Sequence, residues 1–572
     1  MAVNMKGGND SFSAVGNLAA LTAFTVDGGA GDDTLLGSNG ADVLMGGGGN
    51  DFIDGQQGAD TLIGGSGNDT IQWDPGDGSD VVEGQDGADT LQFNGANIGE
   101  IFDVSANGSR VRFTRNIANI VMDIAGVETL NVRALGGADV LTVNDLTGTG
   151  LKKVNANLAA FDGNGDAAAD AVVLNGTPGA DKIKLSSTDS SATATGLAAA
   201  VTVTGADALG DRFTVAALGG DDVFDPSGLG ATPIQFVADG GEGTEKVTIN
   251  GTDAAEVFTA TANGTSARFD RVSPTAMNFD VMNVESVVVK MGAGDDSFSA
   301  VGNLAALTAI TVEGGLGNDT ILGSNGADVL NGGAGNDFID GQQGNDTILL
   351  GADDDTFQWD PGDGSDVVEG QSGNDTMVFN GANIGEIMDI SANAGRVKFT
   401  RNIANIVMDL NGIENVRVNT FGGADVVTVN NLAGTALKSV KVNLAQFDGN
   451  GDAAADTVVV NASDRTEAIA VSGTQGGAIV TGLFTQVELS GGENALDRVA
   501  VNAFGGDDVV DATGLTATTV TAVIDGGDGD DVLLGGAGND TIFGGNGDDI
   551  LIGGPGQDVL DGGVGANILI QD

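Results

Sequence analysis

The sequence contains no cysteine, no histidine and no tyrosine. Without cysteine, a disulfide framework is excluded. Without histidine and cysteine, the chain has no Ser-His-Asp triad, no Cys-His pair and no zinc site built on imidazole or thiolate ligands. A metal site in this chain would therefore be built from oxygen ligands.

Basic residues are also scarce. The chain has 22 Lys and Arg against 81 Asp and Glu, which gives a formal net charge of −59. Such an acidic chain is not expected to bind nucleic acid or an anionic membrane surface. It also repels itself when it becomes compact, so part of the charge has to be neutralised in the folded state.

Long apolar runs are missing as well. No stretch reaches the length of about 18 apolar residues that a transmembrane helix needs, so the sequence predicts no membrane span. The first residues, MAVNMKGGNDSF, hold one lysine and no apolar core, which predicts that they are not a Sec-type signal peptide.

Glycine is abundant. The chain has 96 Gly but only 7 Pro, which excludes collagen. Hydrophobic residues make up 41% of the chain, which excludes a disordered acidic tail. The composition therefore indicates a folded protein with many tight turns.

Glycine and aspartate recur with a period of nine residues in three blocks. When Asp is placed at position 6, position 8 is always apolar and position 4 is Gly in every repeat but one, where Asp353 stands. In each of the first two blocks one step between successive Asp residues is longer than nine, because residues are inserted at Trp73 and at Trp359. The position-6 residues are Asp33, Asp42, Asp51, Asp60, Asp69, Asp80 and Asp89, then Asp319, Asp328, Asp337, Asp346, Asp355, Asp366 and Asp375, then Asp531, Asp540, Asp549 and Asp558, with Asn567 last.

Each position of the repeat has a physical role. Positions 7 to 9 alternate around one inward apolar residue, which predicts a very short strand. Glycine lets positions 1 to 6 turn sharply and lets neighbouring turns approach closely. Two repeats then form one flattened coil, and stacked coils form two parallel sheets around the position-8 side chains. The position-6 carboxylates stack as well, and Ca²⁺, which takes six to eight oxygen ligands, suits them.

This G-G-x-G-x-D-x-U-x pattern, in which U is apolar, resembles the RTX (haemolysin-type) calcium-binding repeat over residues 28–92, 314–378 and 526–570. The resemblance implies an all-β fold, an elongated parallel β-roll or β-solenoid, in which turns of adjacent coils share each Ca²⁺. It implies that the position-6 aspartates are the metal ligands and that roughly a dozen Ca²⁺ ions bind. It also implies secretion by a type I apparatus that reads a C-terminal signal.

A second repeat spans half the chain. SFSAVGNLAALTA begins at Ser11 and at Ser297, and FTRNIANIVMD begins at Phe113 and at Phe399, so both pairs are offset by 286 residues. The two copies diverge after about residue 244. The predicted organisation is a partial β module (1–26), a first β-roll block (27–92), a β-rich segment (93–313), a second block (314–378), a second β-rich segment (379–524) and a third block with the end of the chain (525–572).

The segments between the blocks also read as strands. RVRFT, NIVMDI, ETLNVRAL, DVLTVNDL and AVVLNG alternate β-branched or aromatic residues with polar ones. Single turns like those of the repeat recur there, as GGADV at Gly136 and Gly422 and as GGDDV at Gly219 and Gly505. We expect these segments to depend less on metal, and both a β-helical and a β-sandwich structure are open for them.

Two further motifs accompany the repeats. DGNGDAAAD begins at Asp162 and Asp448 and resembles part of an EF-hand loop, but Ala167 stands where that loop needs Gly and no Glu follows at its position 12. Calcium binding and a solvated acidic loop are both open for this motif. Trp73 and Trp359 are the only tryptophans, and we expect them to pack over the inserted residues rather than to stack on sugars.

No catalytic constellation is present, and paired carboxylates carry no information in a chain with 81 acids, so we predict no enzyme. The predicted function is a secreted calcium-binding structural protein of a surface layer, matrix, filament or adhesin stalk. The alternative is a calcium-dependent module that binds polysaccharide or another surface. Because Val3 aligns with Val289 inside a module, we expect an exposed edge and end-to-end self-association, with a cell-surface polymer as another possible partner.

Overall fold

A computed structural model describes residues 1–14, 17–18, 22–207, 210–232, 234–473, 476–493, 496–517 and 520–571. The chain divides into two compact units, Met1–Asn250 with Phe258–Val288 and Gly251–Val257 with Val289–Asp572. In the described residues the only helical elements are two short 3₁₀ turns, Ile117–Asn119 and Ile403–Asn405. None of the described helices has the length and hydrophobicity needed to cross a bilayer.

The first unit is built from short strands. They are Ala2–Asn4, Ser11–Ser13, Thr25–Ala30, Thr34–Leu36, Val43–Gly48, Phe52–Asp54, Thr61–Ser66, Thr70–Trp73, Val81–Asp86, Thr90–Asn94, Ile101–Asn107, Arg110–Arg115, Ile120–Ala125, Thr129–Arg133, Val140–Val143, Lys153–Asn157, Ala171–Asn175, Lys182–Thr188, Ser191–Thr195, Ala200–Thr204, Arg212–Ala216, Val223–Gly228, Gln235–Asp239, Ser266–Ser273 and Met277–Met282. Three strands contribute residues to both units: Lys246–Thr252, Val257–Asn263 and Ser286–Ala293.

The second unit repeats this pattern of short strands. They are Ser297–Val301, Ala309–Leu316, Thr320–Leu322, Val329–Ala334, Phe338–Asp340, Thr347–Ala352, Thr356–Trp359, Val367–Ser372, Thr376–Asn380, Ile387–Asn393, Arg396–Arg401, Ile406–Asn411, Asn415–Asn419, Val426–Val429, Ser439–Asn443, Thr457–Asn461, Ala468–Ser472, Ala478–Thr481, Gln486–Ser490, Arg498–Asn502, Val509–Gly514, Thr521–Asp528, Val532–Leu534, Thr541–Asn546, Ile550–Ile552, Val559–Asp561 and Ile568–Ile570.

In the nonapeptide blocks, strands pair in parallel with the strand two repeats later. Leu44 lies beside Leu62 in one sheet, whereas Leu35 lies beside Ile53 in the other. Each coil therefore contains two repeats and contributes one strand to each sheet, as predicted. The position-8 side chains form the core, and those of the first two blocks are at most 1% exposed. The predicted all-β class and the β-roll architecture are confirmed.

The intervening segments continue the parallel pairing. Strand Thr90–Asn94 pairs with Thr129–Arg133, which pairs with Lys153–Asn157, which in turn pairs with Ala200–Thr204. In the described residues these segments are therefore β-helical, and of the two open alternatives this is the one that the structure shows.

An antiparallel meander is inserted into this pairing. Strand Val81–Asp86 pairs in parallel with Ile120–Ala125, which pairs in antiparallel fashion with Arg110–Arg115. Arg110–Arg115 pairs in antiparallel fashion with Ile101–Asn107, which returns to a parallel partner, Val140–Val143. The second unit has the same meander between Val367–Ser372 and Val426–Val429. Three strands thus lie between two successive coils without breaking the sheet.

Candidate metal centre

The predicted aspartates lie at the turns, directly before the strands, and they are buried. Their exposed fraction is 3% or less for every predicted position-6 Asp except Asp558, which is half-buried. Burial of so many carboxylates in one protein costs free energy unless each one is paired. The surroundings of these groups therefore decide what the turns can bind.

In nearly all of these residues, one oxygen of the carboxylate fixes the turn of the preceding coil. The N–H of Asp33 donates to Oδ1 of Asp51 at 2.7 Å, and the N–H of Asp51 donates to Oδ1 of Asp69 at 2.8 Å. We call a series of carboxylates linked in this way on one turn edge a carboxylate column. The columns of the three blocks are Asp33, Asp51, Asp69 and Asp89; Asp42, Asp60 and Asp80; Asp319, Asp337, Asp355 and Asp375; Asp328, Asp346 and Asp366; Asp531 and Asp549; and Asp540 and Asp558.

The second oxygen, Oδ2, is buried without a hydrogen-bond partner in most of these residues. This holds for Asp33, Asp51, Asp60, Asp69, Asp89, Asp319, Asp337, Asp346, Asp355, Asp366, Asp375, Asp531 and Asp549. In Asp42 it accepts hydrogen bonds from the N–H and hydroxyl of Ser38, and in Asp540 it accepts one from the N–H of Gly536. A buried oxygen without a donor is rare in folded proteins, and its repetition along a column fits turns that bind a cation.

The glycine at position 1 borders this free oxygen. A Cβ built on Gly46 would overlap Oδ2 of Asp51 and lie 2.7 Å from the carbonyl oxygen of Gly64, one coil further on. Gly46 does not have a positive φ, so it is the close approach that excludes a side chain here. Glycine thus keeps open a small cradle that is lined by a carboxylate oxygen and a carbonyl oxygen.

Asn567 shows what an amide does at the same place. Its Oδ1 accepts a hydrogen bond from the N–H of Asp549 at 2.8 Å, and its Nδ2 donates to the carbonyl oxygen of Gly562, position 1 of its own repeat. In the aspartate repeats the corresponding atom is an oxygen that cannot donate. Two acceptors then face the cradle, and a proton or a cation is needed between them.

Electrostatics gives the same picture. Burial raises the pKa of Asp60 and Asp346 to about 8. The backbone hydrogen bond from the preceding coil opposes this rise in pKa, and the negative charges of Asp80 and Asp366 add to it. The columns are thus unfavourable places for negative charge unless a cation compensates it.

The donor set fits Ca²⁺, which takes oxygen ligands, including carboxylates and backbone carbonyls. In the part of the chain that the structure describes, no three acidic side chains form a group that could hold a metal ion by themselves. An ion in a cradle would therefore draw on column carboxylates together with carbonyl oxygens of the turns.

Both tryptophans lie in the core beside the columns. Trp73 and Trp359 are 1% and 0% exposed, and they stack on Phe93 and Phe379 with ring centroids 4.0 and 4.2 Å apart. The indole N–H of Trp73 donates to the carbonyl oxygen of Gly78 in the inserted turn at 2.9 Å. The predicted packing role is confirmed, and neither ring is available to stack on a sugar.

The loops that resemble an EF-hand divide their acids between solvent and column. Asp162 is exposed. Oδ2 of Asp166 accepts a hydrogen bond from the N–H of Gly137 at 2.7 Å, and Oδ1 of Asp170 accepts one from the N–H of Asp139 at 2.8 Å. The second loop repeats both contacts. The last acid of each loop therefore occupies a column position.

The columns have further members that the nine-residue period did not identify. The N–H of Asp10 donates to Oδ1 of Asp33, the N–H of Asp296 to Oδ1 of Asp319 and the N–H of Asp508 to Oδ1 of Asp531. The single GGADV and GGDDV turns of the sequence were the signal for several of these residues. The buried acids of this kind outside the blocks include Asp139, Asp170, Asp211, Asp222, Asp296, Asp425, Asp456, Asp497 and Asp508.

We expect Gly46→Ala to weaken Ca²⁺ binding although it leaves the charge unchanged, because its methyl group would fill the cradle beside Asp51. Gly48→Ala is the matched control, since a Cβ there would meet only the hydroxyl of Ser66, at 3.2 Å. Calcium titration followed by tryptophan fluorescence should give a higher midpoint for Gly46→Ala alone. Equal midpoints for the two variants would contradict the cradle.

A comparison with known protein families identifies the repeats that carry this geometry. The family model described as the RTX calcium-binding nonapeptide repeat matches residues 25–44, 36–71, 75–95, 311–339, 322–357, 362–383, 523–542 and 535–569. The chain therefore carries RTX calcium-binding repeats in three blocks, and the predicted resemblance is confirmed. RTX repeats bind Ca²⁺ and are typical of secreted proteins. No curated protein matches the chain significantly.

Proposed function

We propose that this chain with RTX repeats is a secreted structural protein whose β-rolls fold when they bind extracellular Ca²⁺. The observation that carries the proposal is the series of buried Oδ2 atoms without partners along the columns. The 18 predicted aspartates would hold roughly a dozen ions between adjacent turns. Bound Ca²⁺ would supply the positive charge that neutralises the column carboxylates.

The chain's own residues provide the rest of the arrangement. In most column aspartates Oδ1 holds the backbone of the preceding coil and Oδ2 has no hydrogen-bond partner, which leaves Oδ2 free to act as a ligand. Glycine at position 1 keeps the carbonyl of the next coil within reach of the cradle. Folding and calcium binding are then one process, because the ligands come together only when the coils stack.

The calcium concentration at which the chain folds tests the extracellular role. Extracellular calcium modules have dissociation constants of about 10⁻⁴–10⁻³ M, whereas cytosolic buffers bind at about 10⁻⁹–10⁻⁸ M. We expect the folding midpoint in the first range, so that the chain stays unfolded during export and folds outside the cell. A midpoint in the nanomolar range would contradict the proposal, because the chain would then fold before export.

A structural role further requires assembly. The duplication gives the chain two sets of similar coils, and parallel sheets pair with further strands wherever an edge is open. Electron microscopy and light scattering at millimolar Ca²⁺ should show filaments, sheets or other oligomers that dissociate when Ca²⁺ is chelated. A monomeric mass at high protein concentration would count against assembly.

A calcium-dependent surface-binding module is the second candidate. Two phenylalanines at duplicated positions favour it, since Phe161 and Phe447 are 85% and 92% exposed beside the acidic loops. A glycan array probed with Ca²⁺-loaded protein, and with the variant Phe161→Ser/Phe447→Ser, separates the two functions. Binding that depends on both rings would favour the module, and the absence of any binding would favour the structural role. Neither of the two proposed functions is catalytic, since the chain has no His and no Cys.

A further inference from the structure

The carboxylate columns do not stop where the nonapeptide repeats stop. In the first intervening segment, the N–H of Glu100 donates to Oδ1 of Asp139 at 2.7 Å. The N–H of Asp139 then donates to Oδ1 of Asp170 at 2.8 Å, and the N–H of Asp170 to Oδ1 of Asp211 at 2.9 Å. The backbone contact is the one that defines a column in the blocks. None of these residues lies within the matched RTX repeats.

The same column recurs in the second unit. The N–H of Glu386 donates to Oδ1 of Asp425 at 2.7 Å, and the N–H of Asp425 donates to Oδ1 of Asp456 at 2.8 Å. The N–H of Asp456 donates to Oδ1 of Asp497 at 2.9 Å. The arrangement is therefore a property of the duplicated segment and occurs once in each unit.

The inner members of these columns have the same free oxygen as the repeat aspartates. Oδ2 of Asp139, Asp170, Asp425 and Asp456 is buried and has no hydrogen-bond partner, and all four residues are at most 2% exposed. The outer members differ, since Oδ2 of Asp211 accepts a hydrogen bond from the N–H of Asp207 at 2.7 Å. Within these two columns, the oxygens without a partner thus lie at two successive turns.

The first member of each column is already paired with a cation from the chain. The guanidinium of Arg115 is buried and forms an ion pair with Glu100, and it lies over the ring of Trp73 at 5.3 Å from the centroid. Arg401 and Glu386 form the same pair in the second unit. No ion pair of the described residues includes the four inner aspartates, so the positive charge that they need has to come from outside the chain.

A further carboxylate lies beside each pair of inner aspartates. Asp166 belongs to the acidic loop, and its Oδ2 accepts a hydrogen bond from the N–H of Gly137, two residues before Asp139. Asp452 makes the same contact with the N–H of Gly423, before Asp425. Both acids are half-buried, and they increase the negative potential at the turns.

We infer that Ca²⁺ also binds outside the RTX repeats, between the turns of Asp139 and Asp170 and between those of Asp425 and Asp456. The inference rests on the proposed function, because it takes the backbone contact and the free Oδ2 of the repeat columns as the marks of a calcium site. The cradle glycine itself is not shared, since Ala134 and Thr420 stand at position 1 before Asp139 and Asp425. It extends calcium-dependent folding into the intervening segments. The ligands are the free Oδ2 atoms, with carbonyl oxygens of the adjoining turns.

The test compares two double variants of the full chain. Asp170→Asn/Asp456→Asn removes one free Oδ2 from each inferred site, and Asn can keep the backbone contact, as Asn567 does. Asp162→Asn/Asp448→Asn is the matched control, since it makes the same charge change at exposed positions of the same loops. The number of ⁴⁵Ca²⁺ ions bound at saturation is measured by equilibrium dialysis for both variants and for the unmodified chain.

We expect the control to bind as many ions as the unmodified chain, and Asp170→Asn/Asp456→Asn to bind at least one ion fewer per unit. Unchanged stoichiometry in this variant, together with a loss of ions in the repeat variant Asp51→Asn/Asp337→Asn, would overturn the inference and leave the proposed function intact. Unchanged stoichiometry in both variants would overturn the two together.

Diffraction provides a second measurement that does not depend on how the variants fold. Crystals of the unmodified chain grown with Ca²⁺ and soaked in Tb³⁺ should give anomalous peaks between the turns of Asp139 and Asp170 and between those of Asp425 and Asp456. Peaks in the repeat blocks with none at these two places would also overturn the inference.

Discussion

Chelation of Ca²⁺ is expected to unfold the three nonapeptide blocks. Each repeat contributes one apolar side chain to the core for every nine residues. Ordering the backbone costs about 1–2 kcal/mol per residue, and one buried aliphatic side chain per repeat does not offset that cost. The blocks therefore need a second source of stability. The carboxylate columns indicate that this source is Ca²⁺ bound at the turns.

The charge of the columns makes the loss of Ca²⁺ more severe. A buried carboxylate without a partner is costly in a medium of low polarity, and it either takes up a proton or leaves the interior. In each block several such groups follow one another along the same edge. Without the metal, these groups would oppose the stacking of the coils that the parallel strands require.

The two tryptophans report this transition directly. Trp73 lies in the first block and Trp359 in the second, and both are buried against phenylalanine rings. Addition of EDTA should move their emission to longer wavelength and reduce the far-ultraviolet β signal, and Ca²⁺ should restore both cooperatively. Mg²⁺ should restore them poorly, because it demands octahedral geometry and loses water reluctantly. A complete β spectrum in the chelated protein would show that the metal is not needed for folding.

The blocks could be predicted from the sequence because their period is regular. A fixed phase of Asp, Gly and an apolar residue specifies the turn, the strand and the stacking partner together. Leu44 and Leu62 lie beside each other because they are two repeats apart, and Asp51 and Asp69 occupy one column for the same reason. In this part of the chain, spacing along the sequence is equivalent to spacing in the structure.

The column outside the blocks could not be predicted because the lengths of its coils vary. Its members Glu100, Asp139, Asp170 and Asp211 are separated by unequal numbers of residues, since a meander and an acidic loop are inserted between the turns. The strands of the meander were identified from their alternation. Alternation is the same in parallel and antiparallel strands, so it carried no information on their direction. The ion pair between Arg115 and Glu100 depends on the antiparallel pairing of Ile101–Asn107 with Arg110–Arg115, so it could not be predicted either.

Asp355→Ala is expected to have a large effect on the calcium-dependent folding of the second block. Asp355 is an interior member of its column, since its Oδ1 accepts a hydrogen bond from the N–H of Asp337 at 2.8 Å and its own N–H donates to Oδ1 of Asp375 at 3.0 Å. The substitution leaves the N–H of Asp337 without its acceptor. It also removes a ligand that ions above and below would share.

Asp354→Ala is the matched control for this prediction, because Asp354 precedes Asp355 in the same turn but is exposed. Loss of one partner from a buried charge network costs about 3–5 kcal/mol, whereas loss of an exposed carboxylate costs about 0–1 kcal/mol. Titration with Ca²⁺, followed through the fluorescence of the nearby Trp359, should therefore show a large rise in the midpoint for Asp355→Ala and a small one for Asp354→Ala. Equal midpoints would mean that the column carboxylates do not hold the ions on which folding depends.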